Sequence, residues 1–221
     1  MNTWGVQDMP NFEPAMVLDL WFPQSEHWRS VPAHIAFWNE RMQGGMDEII
    51  CSDFAELTIA AAEGRLDHWQ ETPRERLALV IALDQFPRSL WRDTPAAFGQ
   101  DIKATRLCLE AVRNGHYDAL RETWEREFMI IAMSHCEGPD HLERMDLCIQ
   151  LAERHHEVVR PELKDAIGLS VQQSERVRSV IQRFGRHPHR NPIYGRRSSP
   201  DELEYIAEGD FPHVNNPSNT G

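Results

Sequence analysis

Residues 72–89 read TPRERLALVIALDQFPRS, and this stretch decides the fold class that we predict. Its start is typical of a helix, because Thr72 can cap the N-terminus, Pro73 suits the first helical position and Glu75 can complete a capping box. Closely spaced apolar residues follow. Pro87 has no N–H with which to continue the hydrogen-bond ladder of a helix. The stretch therefore predicts an apolar helix that stops at Pro87 or just beyond.

The same helix start and stop signals recur along the rest of the chain, with capping residues before apolar periodic stretches and Gly or Pro after them. It predicts further helices over residues 13–22, 46–62, 101–114, 118–135, 140–159 and 171–184, and a short last helix that Ser199 and Glu202 would cap. No segment shows the sustained alternation that is typical of strands. Short connections favour antiparallel neighbours. We therefore predict an all-α fold, an array of antiparallel αα-hairpins with about eight helices.

Length and composition predict one helical domain over residues 1–221. The chain is 41% hydrophobic and 26% charged, which is typical of a folded protein and excludes wholesale disorder. We expect residues 12–209 to form the folded core and residues 1–11 and 211–221 to be frayed.

The net charge of −12 disfavours binding to nucleic acids and to anionic membranes. The N-terminal residues have neither a basic start nor an apolar signal region, and no apolar run is long enough to cross a bilayer. The four cysteines include no C-x-x-C pair, so disulfides are not expected. These features predict a cytoplasmic protein without a membrane segment. The oligomeric state is left open.

A segment rich in arginine and histidine near the C-terminus is the most unusual feature of this acidic chain. Residues 183–191 read RFGRHPHRN, and no acidic residue occurs from Val177 to Pro200. Arginine side chains bind phosphate or carboxylate with two parallel hydrogen bonds, and histidines can titrate near neutrality. The segment is either an anion-binding site or a solvated loop that pairs with acidic helices elsewhere.

Two further groups of residues could carry chemistry. Asp84 lies inside an apolar run and Arg88 follows one helical turn later, so Asp84 either holds an arginine for structural reasons or belongs to a pocket. His135 and Glu137 lie at a predicted helix end, where both can face one cavity only if the helix ends between them. His135 is then either a general acid or base or a histidine at the edge of the core.

Metal binding has little support in the sequence. His187 and His189 form an H-x-H pair that His135 and Glu137 could complete, but no H-E-x-x-H or C-x-x-C motif anchors it. Motifs for nucleotide binding and for serine hydrolases are also missing from the sequence. We therefore predict no metal and no cofactor.

Five motifs in a fixed order resemble a bacterial family known as domain of unknown function 924. They are VLDLWF at Val17 to Phe22, LDQFPRS at Leu83 to Ser89, Ala97 and Phe98 with Asp101, His135 with Glu137, and GRHPHRN at Gly185 to Asn191. The resemblance covers Val17 to Ile206 and implies a tetratricopeptide-like helical array without an established activity. His187 replaces the phenylalanine usual in the family. The resemblance therefore weakens the H-x-H metal site.

The leading hypothesis is a polar pocket that binds a small anionic ligand, a peptide carboxylate or a protein partner. Its predicted binding residues are Asp84, Arg88, Arg92, Arg186, His189, Arg190 and Asn191. The arginines would hold the anion, His189 would donate a hydrogen bond and Asp84 would orient Arg88. The alternative is an enzyme that uses His135 and Glu137 in the same pocket as general acid or base. A scaffold for a partner protein would instead expose a large apolar groove.

Overall fold

The described part of the chain is all-α, as predicted. The structure is a computed structural model that describes residues 11–209 and 211–212, and no β-strand occurs in these residues. The helices are α1 (Pro14–Trp21), α2 (Val31–Met42), α3 (Asp47–Asp53), α4 (Ala55–Ala62), α5 (Pro73–Asp84), α6 (Phe86–Leu90), α7 (Asp101–Asn114), α8 (His116–Ala119), α9 (Thr123–His135), α10 (His141–Val158), α11 (Lys164–Phe184), α12 (Asn191–Tyr194) and α13 (Pro200–Glu208). Short 3-10 turns lie at His27–Arg29, Asp67–Glu71, Pro95–Phe98, Pro161–Leu163 and Pro188–Arg190.

The described residues thus contain more helical segments than the eight expected, mainly because predicted helices are interrupted. The predicted helix over residues 46–62 is broken at Phe54, which packs against Phe86 with ring centroids 5.4 Å apart. The helix predicted over residues 118–135 begins only at Thr123, where Glu122 forms a capping box. It begins late because Leu120 is extended and buried in the core. Helix α2 was not predicted, although Ser30 caps it. The expected fraying of residues 1–11 and 211–221 falls largely outside the described residues.

Helix α5 is the centre of the fold. Every residue from 76 to 84 is buried, and the helix packs against α1, α4, α7 and α9. A helix that is apolar all round is expected in such a position. It ends at Asp84, before the predicted stop, because Pro87 opens the next helix, α6, instead of closing α5. The Thr72 hydroxyl donates a hydrogen bond of 2.9 Å to the Glu75 carboxylate. The predicted capping box therefore does not form, because neither side chain bonds the backbone of the first turn.

One continuous hydrophobic cluster runs from Val17 in α1 to Ile181 in α11. Three tryptophans lie in this cluster, since Trp21, Trp38 and Trp69 are buried. Within the described residues, no helix is both long and apolar enough to cross a membrane. The tetratricopeptide-like arrangement of the helices stays a prediction.

The C-terminal segment positions the basic residues. Gly185 ends α11 in the left-handed conformation at φ 69°, which glycine adopts without strain. The chain then turns back through Pro188–Arg190 and α12 toward α13. Helix α13 begins with the predicted capping box, in which Ser199 and Glu202 exchange hydrogen bonds. Arg190, which lies between α11 and α13, is thereby placed at the start of α7 and the end of α9.

Candidate functional site

Charged side chains from four separate parts of the sequence meet at the ends of helices. We call Asp84, Arg88, Asp101, His135 and Arg190 the polar cluster. Asp84 ends α5, Arg88 lies in the short α6, Asp101 begins α7, His135 ends α9, and Arg190 follows α11 after the turn at Gly185. Helix ends leave backbone groups without helical partners, so polar side chains are most readily accommodated there.

Asp84 is the innermost member of the polar cluster and is fully buried. Its Oδ1 lies 2.8 Å from Nδ1 of His135 and 3.2 Å from Nη1 of Arg88, and its Oδ2 accepts a hydrogen bond of 2.6 Å from Nε2 of Gln85. Three donors around one carboxylate satisfy a buried charge that would otherwise be costly.

Asp101 joins the two arginines of the polar cluster. Its Oδ1 accepts a 2.9 Å hydrogen bond from Arg88, and its Oδ2 accepts one of 3.2 Å from Arg190. Arg190 also donates to the carbonyl of His135 at 2.9 Å. The side chain of Arg190 is only 3% exposed, so it acts as a buried cation whose charge is met by Asp101.

The polar cluster is electrically balanced, with two carboxylates against two guanidinium groups. Burial raises the pKa of Asp84 above its ordinary value, and the charge of Arg88 opposes that rise. Burial, assisted by Arg88, lowers the pKa of His135 well below 6.5. His135 is therefore neutral at pH 7, and we assign its proton to Nδ1, which faces the Asp84 carboxylate.

A second ion pair lies at the border of the polar cluster. Glu137 accepts hydrogen bonds from Arg196 at 2.5 and 3.1 Å and from the backbone N–H of His187 at 2.8 Å. Burial alone would raise the pKa of Glu137, but these hydrogen bonds bring it below its ordinary value. Glu137 therefore acts as an ionised acceptor that holds the C-terminal segment against the end of α9.

Two aromatic rings connect the arginines at the surface. The Phe98 ring centroid lies 4.3 Å from the guanidinium carbon of Arg190 and 5.5 Å from that of Arg88. Tyr194 contacts Phe98, with ring centroids 5.7 Å apart, and its ring lies 4.8 Å from the guanidinium carbon of Arg196. We call Arg88, Phe98, Tyr194 and Arg196 the aromatic edge. It is the accessible border of the polar cluster, since Arg88 is 20% and Arg196 24% exposed at the side chain.

The structure brings together Asp84, Arg88, His135 and Arg190, and it places Glu137 beside them. Two other arginines predicted for the pocket lie elsewhere. Arg92 binds Asp47 at the start of α3 with both carboxylate oxygens 2.6 Å from one nitrogen. Arg186 binds Glu202 at 2.7 and 2.8 Å and thereby supports the cap of α13.

Asn191 and His189 lie close to the polar cluster and make their main contacts outside it. Asn191 is fully buried and donates to Ser198 at 2.9 Å, so it shapes the loop behind the site. The His189 ring contacts Phe211 in a tilted arrangement, with centroids 5.1 Å apart, and burial lowers the pKa of His189 to about 4. Among the described residues, no group of three or more His, Cys, Asp or Glu side chains is arranged to hold a metal ion.

The predicted site omitted four residues that the structure adds: Phe98, Asp101, Tyr194 and Arg196. Asp101 marked the start of a predicted helix and, with Phe98, belonged to a family motif, but neither residue was assigned to the pocket. Tyr194 and Arg196 could have been found, because they lie in the stretch from Val177 to Pro200 that contains no acidic residue. A carboxylate partner for this stretch had to come from elsewhere in the chain.

Comparison with known proteins places the chain in a family. Residues 17–210 match the family model for a bacterial protein of unknown function, DUF924. The chain belongs to this family. Comparison with curated proteins found no match. Among solved structures, the DUF924 chain is similar to a protein of unknown function from Agrobacterium tumefaciens, with 28% identity and a TM-score of 0.63 over 81% of this chain and 97% of that one. The motifs that resemble DUF924 supply every member of the polar cluster.

Proposed function

We propose that this DUF924 protein binds a small anionic ligand, such as a carboxylate of a metabolite or of a peptide C-terminus, at the aromatic edge. The observation that carries the proposal is the convergence of four distant segments on one charged cluster with an accessible border. Buried ion pairs are weak contributors to stability compared with apolar packing of the same volume. Stability alone therefore does not account for the polar cluster, whereas a role in ligand binding does.

The geometry supports an anion more than a cation. Asp84 is fully buried and Asp101 is 4% exposed, whereas the side chains of Arg88 and Arg196 are 20% and 24% exposed, so a ligand meets these two guanidinium groups before either aspartate. Asp101 holds the guanidinium groups of Arg88 and Arg190 in place. Arginines that are held in advance lose less freedom on binding.

Arg196 is the member of the aromatic edge whose protein partner, Glu137, a ligand would replace. Its partner Glu137 is 20% exposed at the side chain, so the pair can be reached from the solvent. A carboxylate or phosphate oxygen would take the place of one oxygen of Glu137 at the Arg196 guanidinium, and the backbone N–H of His187 would still hold Glu137. Arg88 and the hydroxyl of Tyr194 would then supply the other donors.

Calorimetric titration with inorganic phosphate and with succinate in a low-salt buffer tests this function. We expect saturable binding that Arg196→Gln weakens by at least about tenfold, because a hydrogen bond to a charged group contributes roughly 1.5–3 kcal/mol. Arg92→Gln is the matched control, since Arg92 pairs with Asp47 outside the polar cluster. An equal loss in both variants, or no saturable binding of either probe, would contradict the proposal.

An enzyme is the second candidate, and the contact between Asp84 and His135 favours it. A carboxylate 2.8 Å from one imidazole nitrogen orients the ring as in many general bases. A screen of ester, amide and phosphate-ester substrates separates the two functions. Turnover that is lost in His135→Asn and kept in His68→Asn, which changes an exposed histidine, would establish the enzyme. The binding proposal expects no turnover in this screen.

The proposed location is the cytoplasm. Cys51, Cys108, Cys136 and Cys148 are all free thiols in the structure. Free cysteines are typical of reducing compartments. The tetratricopeptide-like array is part of the same proposal, and the packing of α10 along α11 supports a helical hairpin there.

A further inference from the structure

A cavity of about 700 Å³ lies away from the polar cluster. It is formed where the 3-10 turn His27–Arg29 meets the beginning of α9 and Arg160, which follows α10. None of its lining residues belongs to the polar cluster or the aromatic edge. Its volume is within the usual range of small-molecule sites, about 300–1,000 Å³.

Aromatic side chains form the walls of the cavity. Trp28 and Trp124 are half-buried and pack against a small apolar cluster of Val159, Leu163 and Ile167. The guanidinium carbon of Arg160 lies 4.6 Å from the Trp28 ring centroid and 5.6 Å from that of Trp124. The apolar cluster and Arg160 thus hold the two indoles in place, while part of each ring remains accessible.

His27 adds a neutral surface to the cavity. Its ring stacks on Phe37 with centroids 4.3 Å apart, and its Nδ1 lies 2.9 Å from Nδ1 of the buried His34. Burial lowers the pKa of both histidines to about 4, so neither ring carries a charge at pH 7. This side of the cavity is therefore aromatic and uncharged.

The charged lining has a small positive excess in a protein whose net charge is −12. Its cations are Arg74, Arg121 and Arg160, and its anions are Glu122 and Glu125. Arg74 bonds Glu125 at 3.0 Å, and Arg160 lies 3.5 Å from Glu122. Arg121 is exposed and forms no hydrogen bond or ion pair with the described residues. One cation is therefore available to a ligand.

We infer that this cavity binds a planar aromatic carboxylate, with its ring against Trp28 and Trp124 and its carboxylate at Arg121. The aromatic walls supply the area for a flat ring, since offset or edge contacts between rings are favourable. The unpaired guanidinium supplies the charge-assisted hydrogen bonds that a carboxylate accepts. This site is independent of the proposed anion site at the aromatic edge.

Titration of the full chain with naphthalene-2-carboxylate tests the inference, by calorimetry and by tryptophan fluorescence. The neutral 2-naphthamide probes the ring without the charge, and inorganic phosphate probes the charge without the ring. We expect the carboxylate to bind about tenfold more tightly than the amide, because a charge-assisted hydrogen bond is roughly twice as strong as a neutral one. Phosphate should not compete with the carboxylate for this site.

Three variants separate this site from nonspecific binding. Arg121→Gln should weaken binding of the carboxylate by about three- to fivefold, as expected for an exposed charge. Glu122→Gln should strengthen it, because it removes a negative charge from the lining. Arg106→Gln is the matched control: Arg106 is also exposed, forms no hydrogen bond or ion pair with the described residues and lies on α7 outside the cavity.

Equal affinities for the carboxylate and the amide would overturn the inference, and so would equal effects of Arg121→Gln and Arg106→Gln. Failure of the carboxylate to bind at all would also overturn it. None of these results bears on the phosphate titration of Arg196→Gln, so the two sites can fail separately.

Discussion

Asp101→Ala is expected to lower the free energy of unfolding by about 3–5 kcal/mol, the usual cost of removing one partner from a buried ion pair. Asp101 is 4% exposed and is shared by Arg88 and Arg190. Its loss leaves the guanidinium of Arg190, which is 3% exposed, without a carboxylate partner. The penalty arises from this uncompensated buried charge.

Urea denaturation followed by circular dichroism measures this loss. The melting temperature should fall by about 6–20 °C, because each kcal/mol corresponds to roughly 2–4 °C in a chain of this size. Asp47→Ala is the matched control, since Asp47 also lies in the first turn of a helix and also pairs with an arginine, Arg92. That pair is exposed, at 33% and 48% of the two side chains, so the control should lose no more than about 1 kcal/mol.

Asp101→Asn separates charge from packing, because it keeps the shape of the side chain. It should remain less stable than the wild type by more than the Asp47→Ala control. Similar losses for the buried and the exposed aspartate would show that the polar cluster is not held together by the charge of Asp101.

Acidification from pH 6.5 to pH 4 is expected to destabilise the protein through its buried histidines. Burial lowers the pKa of His27, His34, His141 and His189 from 6.5 to about 4 in the folded chain. Between these two pH values the unfolded chain binds more protons than the folded one, so the free energy of unfolding falls as the pH falls. The stability that these neutral histidines preserve is complete above pH 6.5 and is lost as the pH falls toward 4.

His141 gives the sharpest test, because it is 1% exposed and its Nε2 lies 3.0 Å from the carbonyl of Ser134. It should account for about 3 kcal/mol of the loss between pH 6.5 and pH 4. The stability of His141→Gln, measured by urea denaturation across this range, should therefore fall less steeply than that of the wild type. His68→Gln, at an exposed position, should follow the wild-type slope. Parallel curves for all three proteins would show that His141 is not responsible.

Much of the helical fold could be predicted because its signals are local. The helix that begins at Pro73, the capping box of Ser199 and Glu202 and the C-terminal glycine at Gly185 each depend on a few adjacent residues. The errors have a tertiary origin. The breaks near Phe54 and Leu120 follow from the burial of these two side chains in the core, and no short sequence window contains that information.

Local signals in the amino-acid sequence were sufficient to predict that the chain is helical, where most helices end, and which motifs carry its polar residues. The pairing of the charges, in contrast, depends on how the helices pack. Arg88 and Arg92 are one helical turn apart in sequence, but α6 ends at Leu90, so Arg88 meets Asp84 and Arg92 meets Asp47. Helix caps and apolar periodicity act over a few residues, whereas Asp84 and His135 are 51 positions apart in the chain and Asp101 and Arg190 are 89 apart. The polar cluster exists only after the segments that carry these residues have packed.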